Sequence, residues 1–181
     1  MDGGLSNLVV TVNALPSDYR GTFQALINNV KPVTSARDVV VLYFLLDPAF
    51  DADAAAELCT HLIYSAALTP AQSEAMHLRL PSLFAAANGP ETSRQDFYDG
   101  RLRVQDQALR PLVDLLQSTY TLEDAKKKMY DVTHWNGHVH HLEKYVWSLK
   151  PAHRLSEVKL RKTGILLPFG ESTSAYTEPN R

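Results

Sequence analysis

The apolar run Val39–Leu46 constrains the fold of this chain more than any other feature of the sequence. Its aliphatic and aromatic side chains leave no polar face, so the segment has to be covered on all sides. Its β-branched residues allow a strand, but Ser35 before the run and Asp47-Pro48 after it favour a helix. Because the run is too short to cross a bilayer, its cover has to come from the rest of the protein. We therefore predict a buried helix within a globular core.

The composition indicates one cytoplasmic globular domain spanning residues 1–181. With 45% hydrophobic and 21% charged positions, the chain is long enough to close a single core. Cys59 is the only cysteine, so the chain can form neither an internal disulfide nor a thiolate zinc cluster, and a reducing compartment fits best. The N-terminus has no basic leader followed by an apolar run. We therefore expect a cytoplasmic protein with no membrane partner.

The balance of charge disfavours a nucleic-acid partner. Lys and Arg number 18 against 20 Asp and Glu, which gives a formal net charge of -2. The basic residues are dispersed except at residues 126–128 and 159–162, whereas an electrostatic nucleic-acid binder presents a basic face. We therefore expect no nucleic-acid partner.

Apolar residues at helical spacing predict further helices along the chain. By this criterion, and by start and stop signals, helices are expected at residues 5–15, 51–66, 70–87, 104–118, 122–132 and 137–149. Asp51 or Asp53 caps the second of these, and the third allows a break at Pro81. Thr121 and Asp124 form a capping arrangement at the start of the fifth.

Two segments are expected to be extended instead. Residues 22–28 form a short apolar run closed by asparagine and are the best strand in the sequence. Residues 164–170 are expected to form a short buried strand or extended segment, and residues 171–181 a loose tail. The clearest internal break in the sequence is Asn88-Gly89-Pro90 with the polar residues up to Gly100. A division into two subdomains near residues 88–100 is therefore an alternative to a single undivided domain.

Five short segments occur in a distinctive order. Residues 3–16 run from Gly-Gly to Leu-Pro, residues 26–29 are Leu-Ile-Asn-Asn, and residues 36–38 are Ala-Arg-Asp. Further on come His-Leu-Ile-Tyr-Ser-Ala at residues 61–66, and His153-Arg154 followed by Gly-Ile-Leu-Leu-Pro-Phe-Gly at residues 164–170. In this order and spacing the chain resembles the family catalogued as domain of unknown function 4470, from residue 3 to residue 180.

The resemblance implies a fold and not a reaction. The family is a methyltransferase-like Rossmann domain of fungal proteins that often also carry a MYND zinc finger, and it is related to the N-terminal part of the axonemal dynein assembly factors. The fold class that it implies is α/β. We therefore expect a partial Rossmann-like sheet that lacks its first strand, with a largely helical C-terminal half.

The resemblance also implies where a cofactor site would lie. The residues of this chain at those positions differ from the ones that the site requires. A Rossmann-type methyltransferase needs a glycine-rich loop after its first strand and an acidic residue at the end of its second. Gly3 and Gly4 stand at the loop position with two residues before them, Ser6 replaces the family's loop arginine, and Asn29 replaces the acidic residue. We therefore predict a vestigial S-adenosylmethionine site at Gly3, Gly4, Asn28 and Asn29, with no catalytic residue and no bound cofactor. Ordinary turn formation is our preferred explanation of the two asparagines.

One histidine cluster suggests a metal site. Its members are His134, His138, His140 and His141. A spacing of four residues suits two ligands of one zinc ion. No cysteine and no well-placed carboxylate accompanies them, so we predict no metal site.

Two other groups of side chains favour structural roles. Cys59 and His61 do not face each other on a helix, so a buried thiol is preferred to a nucleophile with its base. Trp135, Tyr145 and Trp147 have helical spacing, which is more typical of core residues than of a recognition surface.

Two classes of function remain open. The first is a non-catalytic scaffold or interaction domain with an unidentified protein partner, because an incomplete sheet exposes an edge that a partner strand can cover. The second is a methyltransferase-like enzyme dependent on S-adenosylmethionine, which requires an upstream strand and glycine loop in the full protein. We favour the first.

Overall fold

The fold is a set of helices with two small antiparallel sheets. The computed structural model describes residues 4–28, 31–87, 94–105, 108–111, 113, 120–134 and 139–180. Within these ranges the elements are α1 Gly4–Asn13, α2 Pro32–Leu45, α3 Ala52–Tyr64, β1 Ala67–Leu68, α4 Pro70–Ala87, β2 Arg94–Phe97, β3 Leu102–Gln105, α5 Leu122–Thr133, α6 Val139–Ser148, α7 Pro151–Thr163 and β4 Glu178–Pro179.

The main core is built around α2, as its apolar run predicts. Val41 and Phe44 are fully buried, and α2 packs against α3 and β3. Side chains from α1, α3, α4, β1 and β3 complete this core, whose buried members are Leu5, Val40, Val41, Tyr43, Phe44, Leu58, Cys59, Leu62, Leu68, Leu80, Leu83, Leu102, Val104 and Leu109. The prediction of a buried helix over residues 39–46 is confirmed.

Most of the other predicted helices are confirmed together with their caps. The Asp51 carboxylate accepts hydrogen bonds from the backbone N–H groups of Asp53 and Ala54 and so caps α3. Thr121 and Asp124 form a capping box at the start of α5. Helix α4 continues through Pro81 without ending there.

The predicted helix at residues 104–118 is wrong at its start, because residues 102–105 form β3. This strand pairs with β2 in an antiparallel hairpin, in which Phe97 lies opposite Leu102. Tyr98, Asp99 and Gly100 have φ of 53°, 58° and 77° in the four-residue turn that joins Phe97 to Leu102. The alternation of buried Leu102 and Val104 with exposed neighbours is a strand pattern that the helical interpretation overlooked. Asn88-Gly89-Pro90 lies outside the described residues.

The predicted strand at residues 22–28 is also wrong. The segment is irregular, and no backbone hydrogen bond joins it to another described segment. Ile27 packs against the main core, whereas Leu26 is 94% exposed. A short apolar run becomes a strand only when a second strand pairs with it, and none does so in the described part of the chain.

In the described residues, the two small sheets do not form the Rossmann-like sheet that the resemblance implies. Strand β1 pairs with β4 and β2 pairs with β3, both antiparallel, and the described residues show no parallel sheet. The chain is thus a mixed structure dominated by helices. The largely helical C-terminal half agrees with α5, α6 and α7.

The C-terminal region differs from expectation in two ways. Helix α7 was not predicted, although Pro151 at its first turn and Gly164 just beyond its end, at a φ of 73°, are ordinary boundary signals. The expectation of a loose tail is wrong for residues 171–180, since Tyr176 is buried and β4 pairs with β1. Residues 164–170 are irregular with Ile165 buried, as the predicted extended segment requires.

Candidate functional site

Three buried polar side chains meet where α3 ends. His61 and Ser65 lie four residues apart, so they share one face of the helix end. The His61 Nδ1 is 2.9 Å from the Ser65 Oγ, and its Nε2 is 3.0 Å from the Tyr176 hydroxyl. The Ser65 Oγ also accepts the backbone N–H of Leu166 at 3.0 Å. Two segments distant in sequence are thereby tied to one imidazole.

Asn180 caps the same helix end. A helix leaves its last carbonyl oxygens without intrahelical donors. The Asn180 Nδ2 lies 3.0, 3.2 and 2.6 Å from the carbonyl oxygens of His61, Leu62 and Ser65, so its two N–H groups are shared among three acceptors. The His61 oxygen also accepts the Ser65 backbone N–H at 2.9 Å. Its backbone N–H donates to the Ala66 carbonyl at 3.0 Å. We call His61, Ser65, Tyr176 and Asn180 the C-terminal clasp.

The electrostatics of the clasp favour a neutral histidine. Burial lowers the pKa of His61, and the nearby carboxylate of Glu57 only partly opposes this effect. Burial also raises the pKa of Tyr176, with Glu57 and Glu171 adding to the shift. The neutral imidazole offers one donor and one acceptor, which matches its two hydroxyl neighbours.

The chemistry that this cluster can perform is structural. His61 is only 4% exposed and both of its ring nitrogens have partners. The Ser65 hydroxyl is already engaged by His61 and by Leu166, so it is not presented to a substrate. A satisfied buried network of this kind fixes one arrangement of the segments that contribute to it.

The structure describes two of the four predicted vestigial cofactor residues. Gly4 is the first residue of α1, and Asn28 is exposed at the end of the irregular segment 22–28. Gly3 and Asn29 fall outside the described residues. The vestigial site therefore stays a prediction.

The other candidate residues have identifiable environments. Cys59 is buried, its Sγ lies 3.6 Å from the Val41 carbonyl oxygen, and burial raises the pKa of its thiol to about 12, as expected of a structural thiol. His134 ends α5 and stacks on Tyr130 at 3.9 Å. His138 lies outside the described residues, and so do the side chains of His140 and His141, so the histidine cluster is untested. Among the described residues no group of three metal-ligating side chains occurs.

An ion pair that sequence reasoning missed joins α4 to the end of α2. Arg79 binds the buried carboxylate of Asp47, and its guanidinium lies 4.7 Å from the centre of the Phe50 ring. Asp47 also accepts the backbone N–H of Ala49 at 2.9 Å. The two charged residues are 32 positions apart, so no local pattern relates them.

Two apolar surfaces face solvent. The first is a set of exposed side chains on α1 and in residues 19–26, which we call the N-terminal apolar surface; its members are Val9, Val10, Val12, Tyr19, Phe23 and Leu26. The second lies on α6 and α7. There the expectation of core aromatics is wrong for Tyr145 and Trp147, which are both exposed, while Trp135 lies outside the described residues.

Comparison with known proteins gives one family match, which covers only the N-terminal part of the chain. Residues 2–68 match the family described as Domain of unknown function (DUF4470), a stretch that runs from α1 to the end of β1. No curated protein and no solved structure matches the chain. The match contains the N-terminal apolar surface, α2 and the clasp residues His61 and Ser65.

The helices were also compared with the dimensions of a bilayer. No helix in the described ranges is both long and apolar enough to cross one.

Proposed function

We propose that this chain is a non-catalytic interaction domain that binds a protein partner on its N-terminal apolar surface. The observation that carries the proposal is the exposure of large apolar side chains there: Leu26 is 94% exposed and Val10 is 68% exposed. Groups of exposed apolar side chains mark interaction sites more often than single ones do. Burying one leucine in an interface contributes about 1.5–3 kcal/mol.

The backbone beside these side chains supports the same proposal. Residues 22–28 are irregular and make no backbone hydrogen bonds with other described segments, although their sequence has the character of a strand. A partner strand laid along them would pair their N–H and C=O groups. It would also cover Phe23 and Leu26, and Ile27 already anchors the segment to the main core.

The resemblance to domain of unknown function 4470 implies a methyltransferase-like origin for the domain that carries this surface. We propose that the domain descends from a methyltransferase-like Rossmann fold and acts in the cytoplasm of a fungus, as part of a protein that can carry a MYND zinc finger. The alternative is an S-adenosylmethionine-dependent enzyme whose first strand and glycine loop lie upstream. Saturable heat on titration of the chain with S-adenosylmethionine at micromolar affinity would favour that alternative.

The test compares two exposed leucines. The chain, its Leu26→Asp variant and its Leu78→Asp variant are immobilised, and each is used to capture proteins from an extract of the source organism. Leu78 is 73% exposed on α4, outside the proposed surface, and so is the matched control. We expect one partner to be captured by the unchanged chain and by Leu78→Asp but lost with Leu26→Asp.

Capture of the same proteins by all three chains would contradict the proposal. So would equal loss with both variants, because an effect of any added surface charge does not define a site. Circular dichroism of each variant establishes that the helices are intact, which separates loss of binding from loss of folding.

A further inference from the structure

Helix α7 turns its larger apolar side chains toward solvent. A surface helix ordinarily buries its apolar stripe against the core. In α7 none of the residues is fully buried, and Leu155 and Val158, one turn apart on one face, are both about half exposed. This helix therefore presents an apolar face that its own fold does not cover.

Trp147 extends this face from the neighbouring helix α6. Its ring is 71% exposed, and the Arg154 guanidinium carbon lies 4.9 Å from the ring centre. Arg154 is itself fixed, because its Nη2 donates to the carbonyl oxygens of Trp147 and Leu149 at 3.0 and 3.1 Å. One face of the indole is thus held against a guanidinium while most of its surface is accessible. Immobilised tryptophan of this kind is a frequent anchor in interfaces.

Positive charge surrounds these apolar side chains. Lys162 is exposed one turn beyond Val158, and Arg154 lies one turn before it. Helix α7 carries four Lys or Arg residues and one acidic residue, so 4 − 1 gives a local charge of +3, within a chain whose net charge is -2. The acidic residue, Glu157, is ion-paired with Arg161 at 3.1 Å. An incoming carboxylate on this face therefore meets mainly cations.

We propose that Trp147, Arg154, Leu155, Val158 and Lys162 form a second docking surface, which binds an acidic amphipathic peptide segment of a protein partner. The apolar side chains of that segment pack on Trp147, Leu155 and Val158, and its carboxylates pair with Arg154 and Lys162. Charge complementarity of this kind selects the partner and speeds association more than it adds affinity.

A peptide fits this surface better than a larger polyanion does. Nucleic acids and anionic bilayers are held mainly by the number of basic residues that they engage. Here the exposed side chains that lie among the cations are apolar, namely Trp147, Leu155 and Val158, and a nucleic acid would leave them uncovered. The surface is also independent of the N-terminal apolar surface, since the two share no residue.

Fluorescence anisotropy with two labelled synthetic peptides tests the proposal. One peptide combines leucine and phenylalanine with glutamate on an amphipathic helix, and the other has lysine at each glutamate position. We expect the full chain to bind the acidic peptide at least about tenfold more tightly than the basic one, with affinity falling as salt rises. Val158→Glu and Lys162→Glu should each weaken binding by about tenfold. Leu78→Glu, on α4 and outside both proposed surfaces, is the matched control and should bind as the unchanged chain does.

Three outcomes would overturn the proposal. The first is equal affinity for the two peptides or binding of neither. The second is an equal loss of binding in Leu78→Glu and Val158→Glu. The third is sedimentation of the chain with phosphatidylserine vesicles, weakened by Val158→Glu, together with absence of peptide binding. None of these outcomes bears on the proposal for the N-terminal apolar surface, so the two proposals can be contradicted separately.

Discussion

At the scale of single residues, Asn180 has the clearest measurable role. Its side-chain amide reaches three carbonyl oxygens at the end of α3, of which only the His61 oxygen also accepts a backbone N–H, that of Ser65. We expect Asn180→Ala to lower the free energy of unfolding by about 1–3 kcal/mol, because it leaves partly buried acceptors without donors. Urea unfolding of both proteins measures the difference. Asn28→Ala is the control, since Asn28 is exposed, and should change stability little; equal effects of the two substitutions would refute the capping role.

His61 makes the stability of the clasp depend on pH. Burial lowers its pKa from the usual 6.5, so the unfolded chain binds a proton more readily than the folded chain does. The stability that neutral His61 provides is therefore complete above pH 6.5 and is lost as the pH falls from 6.5 toward the lower folded-state pKa.

Unfolding measured across this range tests that dependence. The free energy of unfolding should fall below pH 6.5 with a slope of at most about 1.4 kcal/mol per pH unit from this group. In His61→Gln that part of the slope should be absent, although the variant is less stable at neutral pH. An identical slope in the two proteins would mean that His61 is not protonated preferentially in the unfolded chain.

At the scale of elements, apolar runs and capping residues predicted the helices whose formation depends on residues close in sequence. Helix α2 follows from an apolar run that only burial on all sides can accommodate, and α3 and α5 follow from their caps. Helix α7 escaped prediction because its large apolar residues are few, namely Leu155, Val158 and Leu160, and give only a short helical pattern. Residues 22–28 were assigned as a strand because their composition suits one, but a strand also requires a partner, which composition does not reveal.

At the scale of the whole molecule, the C-terminal clasp connects residues that lie far apart in the sequence. The clasp joins His61 to Asn180 across 119 positions, and no periodicity relates them. The family resemblance had marked residues 61–66 and 164–170 as two separate segments, and the structure shows that Leu166 bonds to Ser65. The solvent exposure of Leu26 was equally unpredictable, since an apolar residue in a strand-like run is ordinarily assigned to a core.

The central claim is that a strand of a protein partner pairs with residues 22–28. Hydrogen exchange of their backbone amides tests this claim most directly. In the isolated chain these amides make no backbone bonds to other described segments and should exchange rapidly, while those of α2 exchange slowly. In the complex with the protein captured by the unchanged chain, we expect the amides of residues 22–28 to become protected. Slow exchange in the isolated chain, or rapid exchange that persists in the complex, would contradict the account.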